Sequence, residues 1–227
     1  MTYRTIYLIR HGQYNPEIKE GPQAGKLSET GRLQAIKTAD FMAEIPLTAI
    51  YASTLDRAIE TAGVIAAKHN GLAVQQSPLL QEITPPLPYL ALKHVKDLSL
   101  EEITQDRLRV EEAYSTFIKA AGERDDYEAI VCHGNVIRYL VCRALQISPL
   151  IWMNFEIYNC SVTTIEIDAL GNAILLGYNE SGHLPQGLKT QNLSPMGLGL
   201  KYAQPEKKPE AQENTPQHPD PHADAEK

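Results

Sequence analysis

An arginine, a histidine and a glycine follow one another at the end of a short apolar run, "TIYLIRHG", so that Arg10 and His11 close a segment otherwise suited to burial. A second histidine, His133, ends another apolar run, "AIVCH". Arginine offers planar, paired donors and stays cationic, which suits the dispersed negative charge of a phosphoryl group. An imidazole beside fixed positive charges has its pKa lowered, because a further positive charge there is disfavoured. It is then neutral at working pH, as a nucleophile has to be. The chemistry open to these residue types is phosphoryl transfer, with His11 as the attacking group.

Such side chains need a frame. Tyr3–Arg10 reads as a buried strand, short and rich in β-formers. Residues 13–27, with Pro16, Gly21, Pro22 and Gly25, read as a loop. Ser28 offers an N-cap to a helix whose apolar face is Leu33, Ala35, Ile36, Ala39, Phe41 and Met42, ended by Pro46. Leu47–Ser53 is a second strand, Thr54–His69 a helix closed by Asn70–Gly71, and Leu72–Gln76 a third strand. Residues 83–99 are loop-like and Leu100–Glu123 is a charged helix. Tyr127–Cys132 is a fourth strand, Asn135–Leu145 an amphipathic helix, and Ser161–Asp168 with Ala173–Tyr178 a hairpin. Strands alternating with helices predict an α/β fold: a three-layer sandwich, its central sheet mostly parallel, with helices on both faces. Ligands of such sheets bind beyond the carboxyl ends of the strands, so His11 and His133 are expected on one rim.

The 227 residues suggest one domain with an appendage. From about Ala203 the chain reads "QPEKKPEAQENTPQHPDPHADAEK", with five prolines and no large apolar residue. Residues 1–202 are therefore expected to form the catalytic domain and 203–227 a disordered, acidic, proline-rich tail. His218 and His222 are separated by Pro219 and Pro221, so no helix would hold them as a metal pair, and they are read as solvated. A formal charge of −7 argues against nucleic acid and anionic membrane as partners. Cys132, Cys142 and Cys160 form no paired framework, which fits a reducing compartment. The opening residues carry too short an apolar run for a signal peptide, and no stretch approaches a membrane span. The expectation is a soluble cytoplasmic protein.

Together with "SETGRLQA" (28–35), "STLDRAIETA" (53–62), "LLQE" (79–82) and "VCHGNVIRYL" (131–140), the opening stretch resembles the histidine phosphatase superfamily, the phosphoglycerate mutase-like family. The likeness runs in register from about Thr5 to Tyr178. RHG alone is weak; the three main motifs in this order and at these separations are specific. The resemblance implies a phosphoglycerate mutase-like fold, with Arg10 and Arg57 clamping phosphate and His11 forming a phosphohistidine. It implies that His133 stabilises the phosphoryl oxygens in the transition state and that Glu82 is the acid and base for the leaving oxygen and the attacking water. The helix near Asn135 would aim its amides at the same oxygens. No metal or other cofactor is implied, the arginines standing in its place. Ser53 and Asn135 are candidates for hydrogen bonds near the phosphate, and Gln13 and Tyr14 for substrate contact. Mutases of the family carry an asparagine six residues after the histidine. Here that position is Glu17, which leaves its phosphate contact to Gln13 or Asn135.

The plainer readings are a helix ion pair for Arg57 with Asp56 or Glu60, solvated roles for those two acids, a structural role for Arg138 and simple packing for Cys132. Glu82 is followed by "ITPPLPYLALKHVKDLSLEEI", a short connection without the basic insertion of the mutases. A short cap implies an open site and favours hydrolysis. The expected substrate is a phosphomonoester, with phosphoprotein (Ser/Thr or His) the leading class, since within the superfamily the likeness is to a protein phosphatase branch. The alternatives are a small-molecule phosphomonoesterase or mutase-like enzyme, and a non-catalytic scaffold that binds phosphoprotein. The segment "NLSPMGLGLKYA" (192–203) could pack on a second copy, giving a homodimer, or cover its own domain.

Overall fold

The computed structural model describes residues 1–21, 23–84 and 99–190. Six strands form one sheet: β1 (Tyr3–Arg10), β2 (Ala49–Ser53), β3 (Val74–Ser77), β4 (Asp126–Cys132), β5 (Val162–Asp168) and β6 (Ala173–Glu180), in the order β3-β2-β4-β1-β5-β6. β3, β2, β4 and β1 run parallel, while β5 is antiparallel to both β1 and β6. Among the described residues, four helices accompany them: α1 (Glu29–Met42), α2 (Asp56–Ala66), α3 (Leu100–Phe117) and α4 (Gly134–Ala144). The α/β sandwich read from the sequence is the observed architecture. The expected tail (203–227), the segment 192–203 and residues 85–98 of the stretch 83–99 expected to be loop-like lie outside the described residues.

The pleat sorts the core into two layers. Ile9, Ile50, Ala129 and Val131 face α1 and α2, meeting Ala39, Met42, Ala62 and Ile65. Ile6, Leu8 and Ile130 face the other way, onto Val110, Phe117, Ile137 and Leu140 of α3 and α4. Each fully buried aliphatic side chain contributes about 1.5–3 kcal/mol, so β1 and β4 are anchored from both sides. Their termination at one level is therefore well determined.

Three of the helices differ from expectation. Helix α1 buries Gln34, Ala35, Thr38, Ala39 and Met42, whereas Leu33, Ile36 and Phe41 are nearly half exposed. The buried face is partly polar because it works as a brace. Gln34 Nε2 donates to the Leu188 carbonyl and to Thr190 Oγ1, each at 2.7 Å, and Thr38 Oγ1 donates to the Cys160 carbonyl at 3.1 Å. Helix α2 stops at Ala66, three residues short, where the amides of Lys68 and His69 turn back to carbonyls three residues earlier. Helix α3 stops at Phe117 because Ile118 leaves helical geometry, with φ −99° and ψ 82°, to bury its side chain. Ala121 N–H then donates to the Asp168 carbonyl at 3.1 Å, tying the segment to the end of β5. The expected N-cap is observed: Ser28 accepts from the Gly31 amide.

Candidate active site

Three strand ends meet at one edge of the sheet. β1 delivers Arg10 and His11, β4 delivers His133 and leads into α4, and β2 delivers Ser53 and leads into α2 with Arg57. Arg10 lies opposite Cys132 in the parallel register, and His11 N–H donates to the Cys132 carbonyl at 3.0 Å. The ladder thus runs one residue past the strand and sets the two imidazoles with ring centroids 5.0 Å apart.

The hydrogen bonds fix the tautomers. His11 Nδ1 lies 2.7 Å from the Gly12 carbonyl oxygen, which can only accept, so Nδ1 carries the proton. Nε2 holds the lone pair and accepts from Arg57 Nε at 3.1 Å. Arg57 Nη2 stands 3.3 Å from His133 Nδ1, and a guanidinium has no acceptor, so this nitrogen also carries a lone pair. His133 Nε2 then donates to Ser53 Oγ at 2.8 Å. The Tyr14 ring supports Arg57, with the guanidinium carbon 4.4 Å from its centroid, and meets His11 edge-on at 5.6 Å.

Both imidazoles are buried, His11 2% and His133 0% exposed. Burial, chiefly, holds both well below the ordinary 6.5. His133, Arg57 and Arg10 add to the effect on His11, and Arg57, Arg10 and Arg109 to that on His133. Both rings are neutral at physiological pH. Burial also lowers the Arg10 guanidinium to about 10, opposed by Glu82, which leaves it cationic. Its Nη1 donates to the Ile157 carbonyl at 2.7 Å. Its Nε is buried without a hydrogen-bond partner among the described residues. The guanidinium crosses the first residue of α4, where a Cβ on Gly134 would stand 3.5 Å from Arg10 Nε and 3.3 Å from Ile157.

Glu82 follows the 3-10 turn Pro78–Leu80. Its Oε1 accepts from the Ile83 amide at 3.1 Å and the Asn135 amide at 3.2 Å. Burial raises this carboxyl above the ordinary 4.5, against the lowering pull of the Ile83 amide and then of Arg10, Arg57 and Arg138. Helix α3 clamps the backbone here. Arg109 donates to the carbonyls of Gln81 at 2.7 Å and Glu82 at 2.9 Å and pairs with Asp106, which accepts from the Thr84 amide at 2.7 Å.

Arg10, His11, Arg57, Glu82 and His133 are thus gathered at one rim. Gln13 and Asn135 are adjacent, but their side chains engage the frame. Gln13 Oε1 accepts from Ser28 Oγ at 2.9 Å, while Asn135 donates to the Ile83 carbonyl at 3.1 Å and accepts from Arg138 at 3.0 Å. The Asn135 amide, expected to face phosphate, is taken by Glu82. Glu60 is a brace rather than a solvated charge, accepting from the Leu27 amide at 3.0 Å. The sequence reading missed Thr61, whose buried hydroxyl accepts from the Gly12 amide at 3.0 Å, and Asn159, which donates to the His11 carbonyl at 3.0 Å. It also missed Gly31, where a Cβ would come within 2.0 Å of the Gln13 carbonyl oxygen. Small and polar residues within "SETGRLQA" and "STLDRAIETA" were the available signal.

The family model of the histidine phosphatase superfamily (branch 1) matches residues 6–85 and 91–180. The chain belongs to that superfamily. A curated relative from Caenorhabditis elegans, named serine/threonine-protein phosphatase Pgam5, mitochondrial, is 38% identical over 191 residues, covering 80% of this chain and 64% of its own length. The human protein named serine/threonine-protein phosphatase PGAM5, mitochondrial, is 35% identical over 187 residues, with the same shares covered. The chain therefore spans less than two thirds of the length of these relatives, 64% in each case. A phosphoglycerate mutase from Plasmodium falciparum is similar in structure, with a TM-score of 0.56 at 28% identity over 85% of this chain and 96% of that one. The phosphoglycerate mutase-like fold expected of a histidine phosphatase is thus the observed one. The cytoplasmic expectation is corrected by the same comparisons: these relatives are named mitochondrial, which points away from the cytoplasm. No helix among the described residues is long and apolar enough to cross a membrane.

Proposed function

We propose that this chain is a metal-independent phosphatase that hydrolyses phosphomonoesters through a covalent phosphohistidine on His11. One observation carries the reading: the His11 proton is fixed on Nδ1 by the Gly12 carbonyl, leaving the Nε2 lone pair free of protons beside a guanidinium. That is a neutral nucleophile next to an anion clamp. A phosphoryl group entering here takes over the donors of Arg57 and the unpartnered Nε–H of Arg10. His11 Nε2 attacks phosphorus, the N–P bond forms as the ester P–O bond breaks, and the leaving oxygen takes its proton from Glu82. Water then attacks the phosphohistidine, Glu82 recovers a proton, the N–P bond breaks and inorganic phosphate leaves. Burial of Glu82 supports the first step, because its raised pKa enlarges the protonated fraction. Gln13 and Asn135 support the phosphate site through the frame they brace.

The substrate class follows the relatives. Phosphoserine and phosphothreonine on protein chains are the leading substrates, since the curated relatives are named serine/threonine-protein phosphatases. The test measures phosphate release from phosphoserine, phosphothreonine and phosphohistidine peptides, with phosphoglycerate for comparison, all in excess chelator. Higher kcat/KM on the peptides than on phosphoglycerate is the expected result. The reverse order would move the assignment to small-molecule phosphomonoesters.

A further inference from the structure

The resting site poses a problem that the mechanism has to solve. His133 presents a lone pair on Nδ1 toward Arg57, at 3.3 Å, and keeps its proton on Nε2 toward Ser53. That suits a guanidinium neighbour. It is the wrong polarity for a phosphoryl oxygen, which also carries lone pairs and would be repelled. Adding a second proton to make an imidazolium is opposed by burial and by Arg57, Arg10 and Arg109.

We infer that Ser53 is a positioning residue that switches His133 from acceptor to donor when the phosphoryl group binds. This rests on the phosphatase reading of the site. The Ser53 oxygen is fully buried and is held by the Leu55 amide at 3.3 Å, so the oxygen stays while the hydroxyl hydrogen turns. In the resting state Oγ accepts from both His133 Nε2–H and Leu55 N–H. In the bound state Oγ still accepts from Leu55 and donates its own hydrogen to Nε2. A hydroxyl both donates and accepts through a single atom, which this exchange requires. The proton account closes on the ring: as the phosphoryl group binds, Nε2 gives up one proton and Nδ1 takes one up, with bulk solvent as the ultimate acceptor and donor. No net charge is added. Nδ1–H then points at a phosphoryl oxygen as Arg57 turns from the histidines to the phosphate.

The test is nitrogen-15 NMR of ring-labelled protein, with and without orthovanadate as the phosphoryl mimic. The expected result is His133 protonated on Nε2 alone when free, and on Nδ1 alone with vanadate bound. Ser53→Ala removes the donor for the second tautomer, so kcat/KM falls about 10- to 100-fold, the rate equivalent of an unpaired buried acceptor. Ser53→Cys, a weaker donor of similar size, falls between. If vanadate binds and His133 keeps its resting tautomer, or becomes protonated on both nitrogens, the switch is wrong although the phosphatase reading stands. Full turnover by folded Ser53→Ala also overturns it. If vanadate fails to bind and no phosphoester is hydrolysed, both readings fall. Should Ser53→Ala not fold, the spectrum of the unaltered protein decides alone.

Discussion

Replacing Arg109 with alanine should cripple the acid step while leaving the nucleophile intact. Arg109 holds the carbonyls of Gln81 and Glu82 at 2.7 and 2.9 Å. Hydrogen bonds from a charged donor contribute about 1.5–3 kcal/mol each, so the backbone under Glu82 loses roughly 3–6 kcal/mol of restraint. Among the described residues, the one hydrogen bond from α3 to this backbone that remains is that of Asp106 to the Thr84 amide. A misplacement near 1 Å costs on the order of 100-fold in rate. The loss should depend on how much the leaving oxygen needs a proton. For an alkyl phosphate, kcat/KM should fall about 30- to 100-fold; for dinitrophenyl phosphate, whose leaving group needs no acid, it should fall less than about threefold. The measure is kcat/KM because it reports transfer to His11 before any hydrolysis of the intermediate. Glu82→Gln should show the same dependence more strongly. Arg109→Lys should recover part of the rate, since one ammonium cannot span both carbonyls as the fork does. An equal loss on both substrates, in folded protein, would refute the argument that Arg109 acts through Glu82.

Other consequences are as direct. Gly31→Ala puts a Cβ within 2.0 Å of the Gln13 carbonyl oxygen, so the loop after His11 must move; overpacking of about 1–3 kcal/mol should lower Tm by several degrees and reduce turnover together. Glu128→Gln leaves Arg4 buried and unpaired, since the two form a paired contact at 2.6 Å with both side chains nearly enclosed. It should cost about 3–5 kcal/mol in denaturant titration. Activity per folded molecule should be unchanged, because Arg4 lies about 20 Å along β1 from Arg10. The pH behaviour follows from the neutral imidazoles. Because folding lowers the pKa of His11 and His133 below the unfolded 6.5, their contribution to stability is present above that value and is lost as pH falls toward the folded pKa. On the alkaline side kcat/KM should decline as Glu82 ionises, and this limb should vanish in Glu82→Gln.

The central strands and the rim were legible because their signals are local. The apolar runs ending in Arg10–His11 and His133 fix where β1 and β4 stop, and the parallel register then sets the imidazoles side by side. The Ser28 cap is equally local. What escaped the sequence was long-range bracing. Gln34 and Thr38 read as the polar side of α1 and are buried because they hold segments more than a hundred residues away. Leu33, Ile36 and Phe41 read as core and are left outside for the same reason. The hydrogen bond from Asn159 to the His11 carbonyl has no counterpart in spacing or periodicity, and neither has the clamp from Arg109 to Glu82. The tautomers of the two histidines depend on Gly12 just past β1, Arg57 of α2 and Ser53 of β2, and become visible only in the assembled site.

The most direct measurement is rapid quenching, in alkali, of the protein reacting with an aryl phosphate in excess chelator, followed by mass spectrometry of its peptides. The account predicts one phosphoryl group on His11, formed within a turnover, absent in His11→Ala and longer-lived in Glu82→Gln. Phosphate release without any adduct on His11, or turnover surviving in His11→Ala, would contradict it.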